Sequence, residues 1–191
     1  MVPESSDSEI RYLTGFSGFD ITHRLTDVLV LGSGAAGLRA ALEAARYGRV
    51  LVVTKSSMAD TTTSLAQGGI ASPVAGDDSI ESHASDTVEA GKGIADPGVV
   101  RVIVSEAPGA LEELVEMGAR FDRKDNKFAL ALEAGHSKPR ILRAYGDSTG
   151  SEIERVLIEA VSRDRNIHAL ENTFMIDLIT DAGVCCGALV F

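Results

Sequence analysis

The sequence predicts an α/β fold built on a parallel sheet, and three apolar runs with their connections predict it. Val28 to Leu31 is a β-type run that turns on Gly32, Ser33 and Gly34 and enters an Ala-rich helix through Gly37. Val50 to Val53 is a second such run after that helix, and Asn166 to Leu170 a third, far downstream. Strand, helix, strand in this order is the opening of an α/β sheet.

In chain order, the pattern places a strand at 27–31, a helix at 35–47 and a strand at 50–54. Ser56 to Gly76 is rich in Ser, Thr and Gly and lacks helical periodicity, so it reads as a long loop; loops of this length are uncommon unless functional. Asp78-Ser-Ile-Glu81 has the form of a capping box and starts a helix that ends near Gly91. A longer helix fits Pro97 to Met117, with proline in its first turn and Gly118 at its end, and Pro108 predicts a kink or break inside it. Residues 120–145 read as irregular around a short apolar run, Phe128 to Leu132. Thr149-Gly-Ser-Glu152 is a second capping box, opening a helix to about Arg163. Phe174 to Thr180 and Val184 to Val190 read as antiparallel strands around the turn Thr180-Asp-Ala-Gly183. The connection between the second and third strands, 55–166, is far longer than a simple crossover needs. The expected architecture is a Rossmann-like domain with a long insertion between its second and third parallel strands and a small antiparallel meander.

The glycine turn has a chemical meaning. Gly32 permits the tight turn, Gly34 lets a pyrophosphate approach the backbone, and Gly37 lets the helix pack close to its strand. The first helical N–H groups and the helix dipole then face a phosphate. With a strand before it and a helix and second strand after it, the motif signals a dinucleotide. An ordinary NAD site has an acidic residue roughly 20 residues further on. This chain has Thr54-Lys55 there, and a lysine cannot accept a hydrogen bond. That argues against NAD and leaves a 2′-phosphate or another dinucleotide, such as FAD, open.

Composition narrows the class. At 191 residues, with 45% hydrophobic residues, the chain is long and apolar enough for a globular domain with a sizeable core. A net charge of −10 disfavours nucleic acid and anionic membrane as partners, and no apolar run is long enough to span a bilayer. Residues 1–25 are polar and mixed, without the apolar stretch of a signal peptide, and read as a loosely ordered leader before a domain at 26–191. The only cysteines, Cys185 and Cys186, adjoin in a strand-like run. They imply neither a disulfide framework nor a metal site, and read as core or half-buried residues in a reducing cytoplasm.

Several blocks together carry a resemblance. After the glycine turn come Thr61-Thr-Thr-Ser-Leu-Ala-Gln-Gly-Gly-Ile-Ala71, then Asp78-Ser-Ile-Glu-Ser-His-Ala-Ser-Asp-Thr87, Glu133-Ala-Gly-His-Ser137, Arg140-Ile-Leu142 and Asp147-Ser-Thr-Gly150. In order and spacing these resemble the succinate dehydrogenase/fumarate reductase flavoprotein superfamily and, within it, the family of L-aspartate oxidases.

The resemblance implies FAD as cofactor. Gly32, Ser33, Gly34, Ala35, Ala36 and Gly37 would take its pyrophosphate, and Lys55 would lie by its adenosine end. Thr62, Thr63, Ser64, Leu65, Ala66, Gln67, Gly68 and Gly69 would run beside the isoalloxazine. Covalent members carry a histidine at the position of Thr62, so the flavin here is expected to be non-covalent. Glu133 would lie against the substrate and accept from an α-ammonium, which suits L-aspartate and not succinate; His83 and His136 lie in family-like blocks.

The implied reaction is oxidation of L-aspartate to iminoaspartate, the first step of NAD biosynthesis from aspartate. Oxygen or fumarate would be the electron acceptor and quinolinate synthase the recipient of the product. A soluble fumarate reductase-like flavoprotein, or a non-catalytic flavin-binding remnant, is the alternative. The chain departs from the family pattern at Leu132 (usually Arg), Ala134 (usually Gly) and Arg143 (usually His). Members are also much longer, which implies an N-terminal portion with an incomplete sheet and no capping domain.

Overall fold

The computed structural model describes residues 13–15 and 21–191, so most of the expected leader lies outside the described residues. In chain order the first elements are β1 (Val28–Leu31), α1 (Ala35–Ala44), β2 (Val50–Val53), β3 (Ile70–Ala71), α2 (Ile80–Ala90) and α3 (Pro97–Glu116). There follow β4 (Arg123–Lys124), β5 (Lys127–Phe128), β6 (Leu130–Ala131), β7 (Ile141–Leu142), α4 (Thr149–Arg163), β8 (Ile167–Leu170), β9 (Met175–Asp181) and β10 (Val184–Val190).

β1, β2 and β8 form a parallel sheet in the order β1-β2-β8, with Val28 opposite Val50 and Val50 opposite Ile167. Side chains alternate across a strand. Val50 and Val52 therefore point with Val28 and Val30 into one cluster, which Leu38 and Ala41 of α1, Leu157 and Val161 of α4 and Ile167 complete. On the other face, Leu29, Leu31 and Leu51 line a groove of about 1490 Å³ shared with the β9–β10 hairpin.

The connection from β2 to β8 holds a second, smaller sheet in the order β3-β7-β6, antiparallel throughout. Ile70 pairs with Leu142, and Leu142 with Leu130; all three face a cluster built from Leu111, Phe121, Ala144 and Val156. Residues of the opposite parity, including Gly69, Ala71, Ala131, Ile141 and Arg143, belong to the other face.

Several local expectations are corrected. The cap of α2 is Ser79, whose hydroxyl accepts from the Ser82 N–H at 3.0 Å, while Asp78 is drawn away to Arg140. The box at Thr149 does not form. The Thr149 hydroxyl donates to the Gly68 carbonyl and accepts from the Ala144 N–H, and Glu152 accepts from the Arg120 N–H, so tertiary partners outcompete the helix's own first turn. α3 runs unbroken through Pro108. Val100, Val104 and Leu111 bury the same side of the helix before and after the proline, which holds both halves in line against the lost backbone bond. Gly118 at φ +99° ends that helix as expected, with the Ala119 N–H returning to the Leu114 carbonyl at 2.9 Å.

The meander is a two-stranded hairpin, β9 with β10, closed by Ala182 and Gly183 at φ +46° and +80°. Both turn residues are left-handed, which matches the twist of the flanking strands. Cys185 and Cys186 are exposed, contrary to the buried reading. The register shifts between Cys185 and Gly187, leaving Cys186 as the extra residue of a bulge that lifts this stretch from its partner strand.

Candidate functional site

The glycine turn lies where β1 gives way to α1. Gly32 adopts φ +105°, and Gly34 is the N-cap of a helix with no side-chain cap of its own and no acid in its first turn. A helix N-terminus presents N–H donors and the positive end of its dipole. A Cβ on Gly37 would collide with the Gly32 carbonyl, and one on Gly34 would come within 3.2 Å of Thr63 Oγ1. The turn is thus a cradle that requires glycine, and its chemistry fits a pyrophosphate.

The Ser/Thr/Gly loop is locked onto this turn. The Ala35 N–H donates to Thr63 Oγ1 at 3.1 Å, so the loop closes directly over the helix N-terminus. Ser64 folds back on Thr61, its N–H donating to Thr61 Oγ1 at 3.0 Å and its hydroxyl to the Thr61 carbonyl at 2.8 Å. From below, the N-terminus of α4 supports the loop: the Gly150 N–H donates to the Ala66 carbonyl at 3.3 Å, and a Cβ on Gly150 would collide with the Thr63 carbonyl. Thr62, Leu65, Ala66, Gln67 and Gly69 remain exposed along the rim, as do Gly32, Ala36 and Lys55. Ser33 faces the other way. Its buried hydroxyl lies 3.0 Å from Thr54 Oγ1 and 3.2 Å from the Met58 carbonyl, within hydrogen-bonding distance of both, leaving only its backbone for a ligand.

The small sheet brings the end of this loop beside the predicted substrate residue. Gly69 precedes β3, Arg143 follows β7, and Glu133 follows β6 by two residues. A Cβ on Gly69 would lie 3.2 Å from Arg143 Cγ, so the arginine stem runs along the loop. Arg143 Nη2 donates to Glu133 Oε1 at 2.6 Å, with both side chains more than a third exposed. This hydrogen bond, with the glutamate's charge, raises the arginine's pKa above its ordinary value. The sequence marked Arg143 only as a departure from a pattern; its contact with Glu133 depends on how β6 and β7 pair.

Behind this pair lies a sealed cluster. Arg140 is fully buried and donates through Nε and Nη2 to Asp78 at 2.8 Å each, through Nη1 to Asp86 at 2.6 Å, and through Nη2 to Ser82 Oγ at 3.1 Å. His136 Nδ1 lies 3.3 Å from Arg140 Nη1, which as part of a guanidinium can only donate. The Ser137 N–H and hydroxyl both bind Asp86. Burial acts to raise the Asp86 carboxyl, but the Ser137 bonds and Arg140 together outweigh it and bring its pKa to about 2. Asp78 is lowered in the same way: Arg140 and the Ser79 N–H overcome the effect of burial. His83 is pushed below the ordinary histidine value by burial, then by Arg140 and His136. The histidines of the family-like blocks therefore belong to this cluster, which pins the loop carrying Glu133 to α2.

A further buried acid was not foreseen. Glu154, one turn beyond Gly150 on α4, is buried with no hydrogen bond to either carboxylate oxygen. Burial raises its pKa, opposed by the Thr61 hydroxyl. Among the described residues, no cluster of three or more His, Cys, Asp or Glu side chains could hold a metal, and no helix is long and apolar enough to cross a membrane.

Comparison with known proteins bears on this geometry. A family profile described as an FAD binding domain matches residues 27–191. L-aspartate oxidase 2-b, chloroplastic, from Nicotiana tabacum is 48% identical over 158 residues, which cover 82% of this chain and 24% of that protein. Among solved structures, Sdh1 of Mycobacterium smegmatis in complex with UQ1 superposes with a TM-score of 0.81 at 35% identity, covering 87% of this chain and 30% of that one. A quinol-fumarate reductase with menaquinol molecules superposes with a TM-score of 0.82 at 27% identity, covering 86% and 29%. The chain spans about a quarter to a third of the length of the curated relatives it matches, from 24% to 32%.

Proposed function

The chain belongs to the FAD binding domain family, and from that premise we propose that it is the FAD-binding part of an enzyme that oxidises L-aspartate to iminoaspartate. The observation that carries this reading is the placement of a carboxylate, Glu133, beside the end of the loop that closes over the glycine turn. A carboxylate suits an amine substrate, and several relatives of 39–48% identity bear the name L-aspartate oxidase.

In this reading the turn and the N-terminus of α1, from Gly32 to Gly37, hold the pyrophosphate, with Ser33 contributing only main chain. Lys55, at the end of β2, lies by the adenosine. The exposed rim from Thr62 to Gly69 runs along the isoalloxazine, with Thr63 and Ser64 shaping the loop from within. Thr62 offers no imidazole, so the cofactor is held non-covalently. FAD supplies the two-electron acceptor for the substrate's Cα hydrogen. The chain's own part is to orient the amino acid through Glu133 on a loop that the Arg140 cluster holds fixed.

Oxygen or fumarate would act as terminal acceptor, and iminoaspartate would pass to quinolinate synthase in NAD biosynthesis. The placement is cytoplasmic, in keeping with the two exposed free thiols. A fumarate reductase-like activity is the second reading, favoured by the fold shared with quinol-fumarate reductase.

The test uses the full-length protein. Acid precipitation is expected to release all the flavin into the supernatant, and yellow colour in the pellet would contradict non-covalent binding. Gly34→Val is expected to abolish FAD binding, since its side chain would fill the cradle. Glu133→Gln is expected to weaken aspartate turnover by roughly one to two decades in kcat/KM and fumarate reduction far less, because only aspartate carries an ammonium. Equal losses with both substrates would favour the second reading.

A further inference from the structure

We infer that Glu133 and Arg143 act together as the receptor for an amino-acid head group, with Arg143 taking a carboxylate of the substrate while Glu133 takes its ammonium. The inference rests on the aspartate-oxidising reading above and assigns a specificity residue within it.

The first ground is unused capacity. A guanidinium carries five N–H donors in a planar fork. Among the described residues, the Arg143 guanidinium makes a single hydrogen bond, from Nη2 to one oxygen of Glu133. Nη1 has only the exposed Asp147, 4.0 Å away and beyond hydrogen-bonding distance. Nε is buried without an acceptor. Glu133 likewise engages through Oε1 alone. A cationic donor and an anionic acceptor therefore stand side by side, each with capacity left over, and a zwitterionic amino acid presents the complementary pair of charges.

The second ground is position. The Arg143 stem lies against Gly69, at the end of the loop that closes over the glycine turn, and small residues (Gly69, Ala71 and Ala131) share its face of the small sheet. The guanidinium is thus held at the loop side of Glu133. A surface pair in this degree of exposure adds little to folding, so the ion pair by itself does not account for an arginine here.

The experiment measures succinate binding, by perturbation of the flavin absorbance, and the KM for L-aspartate in the full-length holoenzyme and in its R143M, R143K and E133Q variants. Flavin content and melting temperature are recorded for each. R143M is expected to weaken succinate binding and to raise the aspartate KM, each by roughly 10- to 100-fold, the effect of a lost charged hydrogen bond. E133Q is expected to affect aspartate alone. Aspartate weakened with succinate unchanged in R143M would show that Arg143 merely holds Glu133, and would overturn the inference. No change with either ligand would overturn it too. Should R143M not fold, R143K decides: it keeps the charge but loses the planar fork, so weaker succinate binding is expected and unchanged binding would be contrary. A wild-type holoenzyme that binds FAD but neither dicarboxylate would instead remove the aspartate-oxidising reading itself.

Discussion

Arg140 and Arg143 are separated only by Ile141 and Leu142, yet they live in different physical regimes. Arg140 is sealed from solvent and all three of its nitrogens are engaged, by two aspartates, a serine and a histidine. The Arg143 side chain is more than a third exposed and its guanidinium makes one hydrogen bond. Both flank β7, but α2 covers the first and only a loop borders the second. A buried charge must have every hydrogen bond supplied by the protein, so Arg140 is committed to structure. A charge at an open rim can leave donors unassigned, and Arg143 keeps them for a ligand.

The sharpest way to break this comparison is to remove each guanidinium in turn. Arg140→Met leaves Asp78 and Asp86 in a closed site without their cation, and is expected to cost about 3–5 kcal/mol in urea denaturation. Arg143→Met is expected to leave the unfolding midpoint near that of the wild type, since exposed pairs stabilise little. Similar losses from the two variants would show that the regimes do not differ.

The acid limb of stability sharpens the same contrast. Asp86 is held at about 2, below its ordinary value of 3.8, and Asp78 is also lowered. Depressed carboxylates contribute stability that is present above the unfolded value and lost as pH falls through the folded one. The wild-type melting temperature should therefore drop between about pH 4 and pH 2, and Arg140→Met should lose much of that slope. A slope that survives the substitution would place the acid sensitivity elsewhere.

The smallest effect concerns Glu154, a buried acid with no cation. Its folded pKa is raised above the ordinary 4.5. Its contribution is complete below the unfolded value and lost as pH rises through the folded one. Glu154→Gln keeps the shape and removes the titration, so its melting temperature should exceed that of the wild type at pH 8 and approach it at pH 4. A constant difference at both pH values would show that ionisation of Glu154 is not involved.

Much of the fold was legible because it depends on short-range chemistry. The run Val28 to Leu31, the glycines at 32, 34 and 37, and the helix after them form a self-contained signal of strand, turn and helix. Gly118 ended α3 where expected, since a left-handed end needs only a local glycine. The misreadings occurred where a side chain had a choice of partners. Thr149 and Glu152 match a capping box in sequence, but the Gly68 carbonyl and the Arg120 N–H claimed them. Cys185 and Cys186 read as strand interior until a bulge placed them outside.

By itself, the sequence determined the dinucleotide turn, the strand and helix that flank it, and the extent of the loop that follows. Each rests on neighbours within a few residues, whose steric and hydrogen-bonding preferences are fixed before the chain folds. Tertiary structure alone decided that Arg140 is sealed and Arg143 open, that Ser33 turns inward, and that Gly69, Arg143 and Glu133 meet. Those outcomes hang on partners tens of residues away: what the rest of the chain packs around a guanidinium makes it a structural anchor where it is buried and leaves it open to a ligand where it is not.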